Sequence, residues 1–142
     1  MFNAVTAEAV FHLTHAIKQQ LGNQLEDQRF GIAAMHVRVL KVIAKSNACT
    51  AIDIAGMFKR DKAQITRLVN QLIDLDLVQK EPNPNDKRSQ LLTLTSAGRA
   101  LQERLRDLSN DMEEQMTQGI EAADLDTFMK VAQKITRNLT SQ

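Results

Sequence analysis

The chain has 142 residues, 43% of them hydrophobic and 25% charged, and a formal net charge of +1. This length suits one domain with a real core, the composition excludes a disordered chain, and no apolar run reaches the ~18 residues of a membrane span. The near-neutral total does not by itself point to a polyanion, and the absence of Trp and Tyr disfavours single-strand binding by base stacking.

The N-terminus lacks a basic-then-apolar signal pattern, and the one cysteine, Cys49, has no partner for an internal disulfide. Both fit the expectation of a cytoplasmic location. The charge is unevenly spread. Between residues 59 and 67 stand Lys59, Arg60, Lys62 and Arg67 against Asp61 alone, whereas eight acids oppose Arg104 and Arg106 between residues 103 and 126. Such a distribution suits a protein that meets a polyanion with one face. Two solvated helix faces are the alternative.

In chain order, the first predicted helix covers roughly residues 4–22, with Val5, Ala9, Leu13, Ile17 and Leu21 at near-helical spacing. The segment 33–45, "AAMHVRVLKVIAK", is apolar on several sides and predicts a helix enclosed by others. Thr50 and Asp53 have capping-box spacing and start a short helix that contains Gly56. Asp61 and Gln64 form a second capping-type pair. After them Ile65, Leu68, Val69, Leu72 and Ile73 trace one buried stripe, leaving Lys62, Gln64, Thr66, Arg67, Asn70 and Gln71 outward. Two helices across a short turn, the second with a polar outer face, make a helix-turn-helix pattern.

Asp76 is expected to end that second helix in a left-handed conformation. "LVQKE" and "QLLTLT" then read as strands around the tip "PNPNDKRS", which holds both prolines of the chain. A hairpin in this place is a wing. Its prolines stiffen the tip, so that Lys87 and Arg88 lose little entropy on meeting a partner. Thr95 N-caps the next helix, which carries Leu101, Leu105, Leu108 and Met112. A last helix repeats Leu125, Phe128, Ala132, Ile135 and Leu139 at spacings of three and four. These stripes exceed what one winged helix can bury. They predict a helical lobe that completes its core in a second subunit, with an intramolecular bundle as the alternative.

From Met35 to Leu101 the sequence resembles the MarR family of transcription regulators. The most specific stretch is "LVQKEPNPNDKRSQLLTLTSAGRAL", where Asp86 and Arg88 fill an Asp-x-Arg pattern and Leu94, Thr95 and Gly98 fill the exit from the wing. "DKAQITRLVNQL" is similar to the family's recognition helix through Thr66, Arg67, Leu68 and Val69. Two positions depart from the pattern: Asp76 stands where the family usually has Gly, and Asn85 where it often has Arg.

The resemblance implies a mainly α fold with a small β-hairpin wing, a winged helix-turn-helix plus a helical dimerisation lobe. Residues 1–142 would form a single domain, with 33–95 as the DNA-binding lobe and 1–32 and 96–142 as the dimerisation lobe. It also implies a sequence-specific, double-stranded DNA-binding transcriptional regulator: a homodimeric repressor on a near-palindromic operator, modulated by a small-molecule or redox signal. A winged-helix protein-interaction module without DNA binding is the alternative. On the recognition helix Gln64 suits adenine, Arg67 guanine and Thr66 a thymine methyl, while Lys62 suits phosphate. In the wing Arg88 is placed for the minor groove and Lys87 for phosphate, with Asp86 expected to hold Arg88 or Arg67 in position.

Other residues carry weaker readings. Cys49, just before a helix N-terminus, is a redox sensor or a packing residue. Glu8, His12 and His15 fall at i, i+4 and i+7, a spacing for a shared metal or for a solvated face. His36, among apolar neighbours, is expected to be a hydrogen-bonded interior histidine. No Gly-rich phosphate loop, paired metal motif or nucleophile-base pairing supports an enzyme, so no cofactor or metal is expected and the membrane is not a partner.

Overall fold

The computed structural model describes residues 4–46 and 48–141. The order is α1 (Val5–Asp27), α2 (Ala34–Lys45), α3 (Ala51–Phe58), α4 (Lys62–Asp74), β1 (Val78–Pro82), β2 (Gln90–Leu94), α5 (Ser96–Thr117) and α6 (Ala122–Thr140). Two compact units divide at the Leu108–Ser109 step, partway along α5.

In the first unit the apolar spacing of the sequence becomes a closed core. α2 contributes Val39, Leu40 and Ile43, and α4 contributes Ile65, Val69 and Leu72, all buried. Ile54, Leu77, Val78, Leu92, Leu94, Leu101 and Leu105 complete the cluster. Each such side chain, fully withdrawn from water, contributes roughly 1.5–3 kcal/mol. Two stacked cations brace the rim of this core. The Arg38 guanidinium lies 4.5 Å from the centre of the Phe58 ring, and that of Arg104 lies 4.6 Å from Phe30.

α1 runs to Asp27, five residues beyond the expected end. A lone Gly22 costs a helix only about 1 kcal/mol relative to Ala, and the apolar spacing continues past it to the buried Leu25. The α3 cap forms as expected: Asp53 N–H donates to Thr50 Oγ1 at 3.2 Å, and Thr50 N–H donates to Asp53 Oδ2 at 3.0 Å. The second capping pair does not form. Asp61 is the N-cap of α4, but its side chain accepts no cap bond. Its own carbonyl already accepts from Gln64 N–H at 3.1 Å and Ile65 N–H at 3.2 Å, so the tight first turn satisfies the donor that the carboxylate would have taken.

Three helices of this unit end on a non-glycine residue with positive φ: Arg29 (54°), Lys59 (50°) and Asp76 (59°). Each end carries the paired bonds of a Schellman motif. After α4, Asp76 N–H donates to Ile73 O at 2.9 Å and Leu77 N–H to Leu72 O at 3.0 Å. The left-handed conformation costs an L-residue roughly 1–2 kcal/mol, less for Asp. Burial of the next residue, Leu77, in the core that holds Leu72 offsets it.

The hairpin is the expected wing. β1 and β2 pair antiparallel from Val78↔Leu94 to Pro82↔Gln90. Val78, Leu92 and Leu94 turn inward, and Leu92 N–H donates to Cys49 O at 2.8 Å, fastening β2 to the segment before α3. The exit is held by Thr95. Its hydroxyl donates to Asp76 O at 2.6 Å and accepts from Gly98 N–H at 3.0 Å, so one side chain closes α4 and caps α5. Gly98 has a steric reason, since a Cβ there would land on the carbonyl oxygen of Leu77.

In the second unit Met112 is buried, whereas α6 buries no residue. Phe128, Met129, Val131 and Leu139 are exposed, Leu139 at 73% of its surface. α1, in the first unit, likewise exposes Val5, Val10, Leu13 and Phe11, the last at 69%. No helix among the described residues is long and apolar enough to cross a membrane.

Candidate nucleic-acid interface

At 3.6 residues per turn, the buried stripe of α4 leaves an outward arc centred on Ala63, Arg67, Asn70 and Asp74. Lys62 and Thr66 flank this arc on one side, Gln64 and Gln71 on the other. The first flank faces the wing. Between them lies a cleft of about 340 Å³, lined by the start of α3, by Lys62, Thr66 and Asn70 of α4, and by Lys80, Lys87, Arg88 and Ser89 of the wing. Four cations meet there, and no carboxylate is in the lining. A low-dielectric wall beside converging like charges focuses an attractive field for an anion.

The structure thus brings together Lys62, Thr66, Lys87 and Arg88 of the expected set. Gln64 and Arg67 are exposed on α4 outside the cleft, and Asp86 is exposed at the wing tip. Within the tip Asp86 Oδ1 accepts from the backbone N–H of Arg88 at 2.9 Å. The carboxylate therefore shapes the turn that carries Arg88 through its backbone. Asn83 does the same one step earlier, accepting from Asn85 N–H and donating across the neck of the loop to Ser89 Oγ, both at 3.0 Å. Two side-chain turns and two prolines hold the tip.

Lys80 was not among the expected residues, and Asn70 was expected on the outward face without a role in binding. Strand alternation is the signal that finds Lys80: it stands two residues from the inward Val78 and opposite Leu92, on the side of the hairpin that borders α4. Asn70 follows Thr66 by one helical turn. His36 differs from expectation in its burial. It is half-buried, because it stands in the first turn of α2 where the helix start is open to solvent. Its Nδ1 accepts from Ala33 N–H at 3.0 Å, and its Nε2 lies 2.7 Å from Gln71 Oε1.

Cys49 is 2% exposed, and its thiol pKa is raised, first by burial and then by the negative charge of Asp53. Its Sγ lies 3.6 Å from Thr50 O. A thiol kept protonated inside a core is a packing residue, the opposite of an activated thiolate. Among the described residues no group of three or more His, Cys, Asp or Glu gathers as a metal set, so Glu8, His12 and His15 do not converge.

A sequence profile of the MarR family matches residues 30–89. The multiple antibiotic resistance protein MarR of Escherichia coli K12 is 27% identical over 127 residues, covering 89% of this chain and 88% of that protein. Residues 30–89 thus carry a MarR-family segment.

Members of that family are transcription regulators, not enzymes. Solved structures match beyond the profile. A mutant MarR from E. coli complexed with operator DNA superposes with a TM-score of 0.82 at 23% identity, covering 93% of this chain and 94% of that one. FabT of Streptococcus pneumoniae in complex with DNA gives 0.86 at 18% identity, with 96% of both chains covered. At these identities the likeness shows the fold alone, a mainly helical chain with a two-stranded hairpin wing.

Proposed function

We propose that this protein is a homodimeric repressor that binds double-stranded DNA in a sequence-specific manner, as a soluble protein of the cytoplasm. The observation that carries the reading is the cleft where Lys62 of α4 meets Lys80, Lys87 and Arg88 of the wing. It lies beside an outward helix face carrying Gln64 and Arg67. α4 fits the major groove, where Arg67 reads guanine, Gln64 adenine and Thr66 a thymine methyl. Lys62 and Lys87 hold phosphate, and Arg88 enters the minor groove on a tip that Asp86 shapes. Relatives of the same fold are known in complex with DNA.

The second subunit is supported by the exposed apolar residues of α1 and, separately, of α6. Isolated surface hydrophobes are ordinary, but a stripe at regular helical spacing is a face awaiting a partner. In a dimer, two copies of α4 would read half-sites of a near-palindrome about 34 Å apart. An effector acts by binding the wrongly spaced state more tightly than the DNA-competent one. The burial of Cys49 favours a small molecule over thiol oxidation as the signal.

The test is selection of bound duplexes from a random pool, followed by a salt titration on the winner. A palindrome with half-sites one turn apart is expected. Affinity should fall about 10³–10⁵-fold between 50 and 200 mM salt if ~6–10 phosphates are neutralised. Lys87→Ala should lessen the salt slope by about one, and Arg67→Ala should relax preference at one base pair by about 1–3 kcal/mol. No retarded duplex at low salt, with a protein recovered on the immobilised chain, would replace this reading by the protein-interaction module.

A further inference from the structure

A polar contact between His36 and Gln71 joins α2 to α4 outside the basic cleft. The two bonds of His36 determine each other. A ring that accepts from Ala33 N–H at Nδ1 carries its own proton on Nε2, so Nε2 donates and the Gln71 carbonyl oxygen accepts. The start of α2 thus selects the tautomer that fits α4. α2 is itself anchored, since Val39 and Leu40 are fully buried and Ile43 nearly so.

Gln71 follows Gln64 by seven residues, two turns along the same flank of α4, away from the wing. The other face of α4 is held by Ile65, Val69 and Leu72. Apolar packing fixes the depth of a helix but supplies no directional bond against a small roll. A hydrogen bond on the flank does have one. With side-chain tips ~5–6 Å from the helix axis, a roll of about 10° moves each tip by about 1 Å. That is enough to break a paired hydrogen bond to a base edge.

We propose that His36 is a positioning residue for DNA recognition, fixing the roll of α4 through Gln71 without touching DNA itself. The proposal rests on the DNA-binding reading above. It separates the two jobs of the imidazole, since an Asn side chain reproduces the reach of Nδ1 and a Gln side chain that of Nε2. His36→Asn keeps the acceptor for Ala33 N–H and loses Gln71; His36→Gln keeps the donor to Gln71 and loses the cap.

The experiment measures affinity of each full-length variant for a duplex selected by the wild-type protein, together with its urea unfolding midpoint. His36→Asn should bind about three- to tenfold more weakly, while its midpoint falls no further than that of His36→Gln, since each variant gives up one exposed hydrogen bond. His36→Gln should stay within about twofold of wild type. Gln71→Ala should weaken binding about as much as His36→Asn, and combining the two should add nothing. The reverse order of the two His36 variants, additive losses, or losses that follow the unfolding midpoint would overturn the assignment and leave DNA binding intact. A wild-type chain that retains no duplex overturns both.

Discussion

α4 and α6 carry apolar stripes of similar regularity and meet opposite ends. Ile65, Val69 and Leu72 of α4 are withdrawn from solvent, while Leu125, Phe128, Ala132, Ile135 and Leu139 of α6 leave no residue buried. Periodicity announces that a face will be covered; it does not say by which chain. α4 finds its cover in α2, α3 and the wing. α6 shows a face of the kind that a second copy would close.

The largest expected effect tests the closed side of this comparison. Leu72→Ala, at a fully buried site, should lower the unfolding free energy by about 2–5 kcal/mol, read by urea denaturation. A smaller loss would mean that the winged lobe is less complete within one chain than its burial indicates. Gly98→Ala should cost about 3 kcal/mol, because the new methyl meets backbone at Leu77, which cannot swing aside. If it denatures like wild type, α5 starts farther from the end of α4 than described.

The open side is tested by Phe128→Glu, at a position 53% exposed. Self-association measured by sedimentation should weaken by about ten- to a hundredfold, while urea unfolding of the first unit stays put. Unchanged association would remove α6 from the proposed dimer face. The smallest effect sharpens the helix end. Asp76→Gly relieves a left-handed L-residue but loosens the unfolded chain, for a net gain of at most about 1 kcal/mol in stability.

Much of this was legible from residues alone because the signals were local. The Thr50 and Asp53 cap, the turn at Asp76 and the two strands around the prolines each depend on neighbours a few positions apart. The basic side of the cleft was partly legible, since Lys62, Lys87 and Arg88 stood out by charge. Lys80 escaped because its direction follows from strand register, which only the pairing of Val78 with Leu94 fixes. The Asp61 cap failed because a side chain and a carbonyl competed for one donor, and spacing cannot show which wins. The link from His36 to Gln71 spans 35 residues and had no sequence signature at all.

The hydroxyl of Thr95, bonded at once to Asp76 O and Gly98 N–H, gears three parts of the molecule together. The hairpin cannot be re-aimed without dragging the end of one helix and the beginning of another. If the proposed DNA-binding mode holds, new target preferences arise by exchanging side chains on this frame, with the angle between hairpin and helix kept.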